Sequence, residues 1–211
     1  YGISYDMHTP AEKQFLKHMH IRHFINVLLF ALSVIVLLYF LRYVVFRSNH
    51  IMALLAAIIF AVHPIHTEVI ANVKSRDEIM SLLFICLTFI KAFKYQETQD
   101  KKQLFYSLLF YLLAFLSKEY AIATLILLPL SLMLFNRMSF SKSIMATLPY
   151  LGAVLIYGLL RLQVIQPMSE ASDADILNNP YAYATEIEKL ATRISTSLNY
   201  FKLLLFPHPL T

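Results

Sequence analysis

Between His63 and Glu78 the chain holds seven ionisable side chains in sixteen positions: His63, His66, Glu68, Lys74, Arg76, Asp77 and Glu78. Carboxylates beside Lys and Arg suit one kind of chemistry. The cations hold a phosphate through charge-assisted hydrogen bonds while a carboxylate acts on a neighbouring hydroxyl. His63 and His66 are three apart, a spacing that could bring two imidazoles to one helical face. Pro64 disturbs that face and no HExxH pattern follows, so no metal site is expected. Part of the cluster has a plainer reading. "SRDE" at Ser75–Glu78 fits a capping box, in which Glu78 reaches back to Ser75 and the acids of the first turn suit the helix macrodipole. Capping leaves His66, Glu68, Lys74 and Arg76 unexplained, and ionisable groups at a membrane boundary are costly and often functional.

A second group is "SKEY", Ser117–Tyr120, a Lys–Glu pair between two apolar runs. Arg161 follows at the end of the sixth apolar stretch and Arg193 on the final amphipathic segment. Lys74 or Arg76, Lys118, Arg161 and Arg193 together form an anion site for a lipid-linked phosphate if one end of the molecule gathers them.

The elements that must position these residues are membrane helices. The chain has 211 residues, 58% hydrophobic and 15% charged, against about 45–50% and about 25% in soluble domains. Mean hydropathy is +0.60. Three glycines leave no glycine-rich phosphate loop. Cys86 has no partner for an internal disulfide and reads as a small buried hydrophobe. The net charge of +5 comes from basic residues flanking apolar segments, which suits topology rather than nucleic acid. Spans of roughly 20 apolar residues are expected near 24–46, 51–63, 78–95, 103–117, 120–135 and 145–165, with an amphipathic seventh segment at 187–206. The long run around "LLAFLSKEYAIATL" is split at Lys118–Glu119. "TPAE" at Thr9–Glu12 starts a helix with Pro10 at its first position. The loop "QPMSEASDADILNNP" is the least ordered segment expected.

Basic residues fix the orientation. Arg42 and Arg47, then Lys91, Lys94, Lys101 and Lys102, then Arg137 and Lys142 occupy alternate loops, which places those loops in the cytoplasm. The 63–77 cluster, Ser117–Tyr120 and the loop 166–187 then face the extracytoplasmic side. Trp is absent, so Tyr39, Tyr43, Tyr95, Tyr106, Tyr150 and Tyr157 are expected to serve as interfacial anchors.

"HPIHTE", "KSRDE", "SKE" and "NNP…TRISTSLNYFKLLLFPHPLT", with "HIRHFINVLLF" before them, occur in the order found in a known family. The chain resembles the transmembrane and tetratricopeptide-repeat-containing proteins, O-mannosyltransferase-like members of the GT-C glycosyltransferases. The resemblance implies an all-α, polytopic transmembrane helical bundle of the GT-C type, with about six to seven membrane helices here. Residues 1–211 would be part of one such domain. Within it, 1–23 end the first extracytoplasmic loop with a juxtamembrane helix and 24–165 are membrane helices. Residues 166–206 are an extracytoplasmic loop and amphipathic helix, and 207–211 begin the next segment. The family's first membrane helix and repeats would lie outside the chain, so the piece alone is expected to be inactive.

The implied activity is transfer of a sugar, mannose by resemblance, from a polyprenyl- or dolichyl-phosphate donor to Ser or Thr hydroxyls of an acceptor protein. The implied catalytic positions are Asp77, Glu68 and His66. Lys118 and Glu119 match the family's Lys–Glu motif, and Arg76, Arg161 and Arg193 would join them in binding the phosphate. The partners are the lipid-phosphate sugar, the acceptor protein and the bilayer, with no nucleic acid and no cofactor beyond the donor itself. The low Gly count and the Lys- and Asn-bearing loops lean toward a bacterial inner membrane, with the ER membrane as the eukaryotic equivalent. Two other readings compete. One is a non-catalytic scaffold that binds a lipid phosphate. The other is a small transporter, disfavoured because the charges lie at a boundary and not at the bilayer midplane.

Overall fold

The computed structural model describes residues 10–164 and 184–207, and among them the chain is helical with no strand. Eight α-helices follow in order: α1 Pro10–Phe40, α2 His50–Val62, α3 Thr67–Ala71, α4 Arg76–Thr98, α5 Lys101–Ser117, α6 Thr124–Asn136, α7 Phe140–Val164 and α8 Glu186–Leu205. A π-helical turn, Leu41–Val45, ends the first long helix, and short 3-10 turns fill Pro64–His66, Val73–Ser75 and Glu119–Ala123. Helix α1 is described from Pro10, and Thr9 of the expected cap lies outside the described residues. The loop "QPMSEASDADILNNP" and the end of "FPHPLT" lie outside them as well.

These residues form two compact units, 10–62 with 66–157, and 63–65 with 158–164 and 184–207. In the first, α4 packs along α5 and against α1. Its core holds Phe93, Tyr111, Ala114, Leu128 and Leu132, each no more than 1% exposed. Small polar residues let the helices approach closely and bond across. The Ser33 hydroxyl of α1 donates to the Leu29 carbonyl of its own helix at 2.9 Å and lies 3.4 Å from the Ile79 carbonyl of α4. Ser107 of α5 donates to the Thr88 carbonyl of α4 at 2.8 Å and meets the Tyr150 hydroxyl of α7 at 2.6 Å. Tyr150 is therefore not the interfacial anchor expected from the sequence. It is 2% exposed and belongs to the core, whereas Tyr39, at 55%, keeps the exposure of an interfacial anchor. Cys86 is buried, as its apolar surroundings imply.

The surface is apolar. Helix α2 exposes Ile51, Leu55, Ile59 and Val62, and α6 exposes Ile126, Leu130 and Leu134. In water such faces drive association; against lipid they carry no penalty. Among the described residues three helices are long and apolar enough to cross a membrane, His20–Val45, Glu119–Asn136 and Phe140–Gln163. The helices His50–Val62 and Pro64–Ala71, bent by 50°, make a fourth if counted as one span. The bend falls at Pro64, which cannot donate the helical hydrogen bond. Helix α5 has 17 residues, about 25 Å at 1.5 Å per residue, and so falls short of a roughly 30 Å hydrocarbon core.

With few glycines, α4 and α6 close on left-handed Gln99 (φ 53°) and Arg137 (φ 52°), positions where glycine is usual. In the second unit α8 starts on a capping box. The Thr185 hydroxyl accepts from the Glu188 amide at 3.4 Å, and the Glu188 carboxylate accepts from the Thr185 amide at 2.8 Å. Ile187, Leu190, Ile194, Leu198, Phe201 and Leu205 form an exposed apolar stripe along α8, the pattern of a helix lying in an interface.

Candidate functional site

The break at Lys118 sets the site. Helix α5 ends at Ser117, and Lys118 turns extended (φ −156°, ψ 137°) before the chain re-enters a 3-10 turn. Its ammonium group is thereby free of the helix surface and reaches the first turn of α4. Lys118 Nζ lies 2.8 Å from Asp77 Oδ2 and 2.8 Å from Glu78 Oε1. The expected capping box does not form: Ser75 makes no side-chain cap bond, and the Glu78 amide donates to Asp77 Oδ1 at 2.9 Å. Glu78 is drawn instead to Lys118, because an ion pair outbids a local cap when a cation is within reach. The Tyr120 hydroxyl donates to the Glu78 carbonyl at 3.3 Å.

Beside this cluster opens a cavity of about 470 Å³, lined by Asp77, Phe115, Leu116, Ser117, Lys118, Glu119, Tyr120 and Tyr157. Asp77 is 40% exposed and Lys118 36%, so both meet solvent there. Desolvation pushes the Asp77 carboxyl up, but the Lys118 hydrogen bond and the Glu78 amide outweigh it and hold the acid below its ordinary value. The same hydrogen bonds, to Asp77 first and then Glu78, hold the Lys118 ammonium above its ordinary value. At neutral pH the cluster therefore contains a fixed carboxylate and a fixed ammonium. The cluster thus sets two carboxylates, Asp77 and Glu78, around one ammonium, with Asp77 ionised and open to the cavity.

The remaining candidates have other neighbours. Arg76 donates from Nε to Asn26 Oδ1 at 3.0 Å and from its guanidinium to the Arg22 carbonyl at 3.2 Å, so it ties α4 to α1. Asn26, fully buried, also donates to the Asn72 carbonyl at 3.1 Å. The signal for this anchor in the sequence is a lone amide in an apolar helix. His66 packs its ring 4.3 Å from Phe60 and 5.5 Å from Phe30. Glu68 is exposed on α3. Arg161 lies in the last turn of α7 and Arg193 on α8, both in the second unit. His63, also in that unit, places Nε2 3.2 Å from the Leu204 carbonyl and accepts from the Ile65 amide at 3.2 Å. Among the described residues no three His, Cys, Asp or Glu side chains gather as a metal site would require. Glu78 and Tyr120 are the site residues that sequence reasoning missed. The adjacent acids of "RDE" carried the signal, masked by their fit to a cap.

Residues 18–162, more than half of the chain, match the family described as dolichyl-phosphate-mannose-protein mannosyltransferase. The chain belongs to that family. Within this mannosyltransferase family it is 39% identical over 80 residues to mouse protein O-mannosyl-transferase TMTC1, 37% of this chain and 8% of that protein. It is 49% identical over 45 residues to human protein O-mannosyl-transferase TMTC4, 20% of this chain and 6% of that protein. To the Caenorhabditis elegans protein O-mannosyl-transferase F38B6.6 it is 37% identical over 70 residues, 33% of this chain and 9% of that protein. The matched stretches thus span less than a tenth of each of these relatives. No solved structure matches. The O-mannosyltransferase-like, GT-C family expected from "HPIHTE", "SRDE" and "SKE" is the family found, and the Asp77–Lys118 cluster lies inside the matched residues.

Proposed function

We propose that the protein carrying this chain is a membrane glycosyltransferase of six to seven crossings in this region. It moves mannose from a polyprenyl- or dolichyl-phosphate donor to a Ser or Thr hydroxyl of an acceptor protein on the extracytoplasmic side. The observation that carries the reading is the Asp77–Lys118–Glu78 cluster beside an open cavity, within the stretch matched to the mannosyltransferase family. In the transfer the bond between the sugar and the lipid phosphate breaks, the acceptor oxygen bonds the sugar, its proton passes to a carboxylate, and the lipid phosphate leaves as an anion. The donor is already activated, so the protein's task is positioning and charge stabilisation.

Asp77, held ionised, accepts and orients the acceptor hydroxyl. Lys118 reaches the departing phosphate by giving up one of its two carboxylates. Glu119 lines the same cavity, Arg76 holds α4 in register, and Glu68 and His66 are assigned to the acceptor side by the family resemblance alone. The test supplies the full-length protein with a Ser- and Thr-bearing peptide and dolichyl-phosphate mannose, with dolichyl-phosphate glucose in parallel. Mass-resolved mannosyl peptide supports the reading. Absence of product with the mannose donor, from protein whose helical content is intact, overturns it in favour of the non-catalytic scaffold.

A further inference from the structure

A second cavity, of about 520 Å³, is lined by Tyr39, Arg42, Tyr43, Arg47, His50 and Glu97. Glu97 is 20 positions beyond Asp77 on α4, about 30 Å at 1.5 Å per residue, so this cavity lies at the opposite end of the bundle. Its charges are unequal. The one carboxylate, Glu97, is already engaged: Arg47 Nη1 lies 3.1 Å from it, and the Tyr43 hydroxyl donates to it. Arg47 is further fixed by a bond to Asn136 Oδ1 at 3.0 Å and by the rings of Tyr43 and Phe93, 5.9 and 5.8 Å away. Arg42 differs. It is exposed, and among the described residues no carboxylate pairs with it. It stands on the π-helical turn Leu41–Val45, and such turns recur at functional sites.

We propose that this cavity binds the phosphate of an anionic membrane lipid. Arg42 supplies an uncommitted planar guanidinium, the group best matched to a phosphate's oxygens. Arg47, oriented by Glu97 and Asn136, supplies a second positive centre at fixed position. His50 and the stacked pair Tyr39–Tyr43, centroids 5.9 Å apart, bring polar tips to the same wall. The cavity closes the apolar span His20–Val45, which sets it at headgroup depth. The positive-inside reading turns it toward the anionic cytoplasmic leaflet, where basic pockets between membrane helices capture lipid headgroups. This site is separate from the cluster at Asp77 and does not depend on the transfer proposed there.

The experiment is native mass spectrometry of the intact chain in detergent. It is offered phosphatidylglycerol, phosphatidylcholine or inorganic phosphate, with helical content checked by circular dichroism. Phosphatidylglycerol adducts are expected where phosphatidylcholine gives none. Arg42→Gln is expected to weaken them about tenfold, the loss of one charge-assisted hydrogen bond. Lys101→Gln, which removes a charge outside the cavity, is expected to leave them unchanged. Displacement by excess inorganic phosphate assigns recognition to the phosphate group itself, and resistance to it assigns the membrane lipid as the source. Equal binding of phosphatidylcholine, full binding by Arg42→Gln, or an equal loss with Lys101→Gln overturns the proposal.

Discussion

The two ends of the bundle are built from similar parts and come out opposite in character. Each sets a cation against carboxylates, with a tyrosine hydroxyl close by. At the Asp77 end Lys118 is shared by two acids at 2.8 Å each, and acid is in excess. At the Glu97 end one acid serves both Arg47 and Tyr43, Arg42 is left over, and base is in excess. The first end presents an ionised acid that can orient a hydroxyl, and the second presents a cation that can receive an anion. Counting charged residues along the chain does not separate the ends; counting which charges are already spent does.

The sharpest way to break this contrast is Asp77→Asn in the full-length protein. Loss of the fixed carboxylate is expected to reduce mannosyl transfer about a hundredfold or more, with the melting temperature nearly unchanged, because exposed ion pairs add little stability. Next is Arg47→Met. It removes the Glu97 pair, the Asn136 bond and two ring contacts, and is expected to cost about 1 kcal/mol of stability, read by thermal unfolding in detergent.

Acid titration sharpens the Asp77 end. Its folded carboxyl titrates below the ordinary value of 3.8. Its stabilising contribution is therefore present above that value and is lost as pH falls through the lowered one. Lys118, raised, contributes below the ordinary lysine value of 10.5 and loses that contribution as pH rises through its raised one. The small stability gap between the unaltered protein and Asp77→Asn is expected to be largest at neutral pH and to close in acid. A gap that widens in acid contradicts the pairing. The smallest effect is at Gln99, whose left-handed backbone closes α4 beside the Glu97 end. Gln99→Gly is expected to stabilise by about 0.5 kcal/mol, read as a rise in melting temperature.

How much of this was legible beforehand depended on distance along the chain. The bend at Pro64, the break at Lys118 and the amphipathic α8 follow from local composition, and each occurs where the sequence places it. The pairing of Asp77 with Lys118 joins residues 41 positions apart, and that of Arg76 with Asn26 joins residues 50 apart. No local pattern encodes such pairs; they depend on which helices become neighbours. "SRDE" shows the cost of local reasoning, since its capping pattern is sound and a distant lysine overrules it. Tyr150 fails as an interfacial anchor for the same reason, because Ser107 on another helix accommodates its hydroxyl inside the core.

Which side of the membrane each end faces decides between proton acceptor and anion receptor. Single cysteines placed by Lys74→Cys near the Asp77 end and by Thr98→Cys at the Glu97 end, in sealed vesicles of known sidedness, answer it with an impermeant maleimide. Native Cys86 is 4% exposed and contributes little background. The expected result is labelling at 74 from the extracytoplasmic face and labelling at 98 from the cytoplasmic face. Labelling at 74 from the cytoplasmic face would contradict the account, because the Asp77–Lys118 cavity would then open on the wrong side for the proposed transfer.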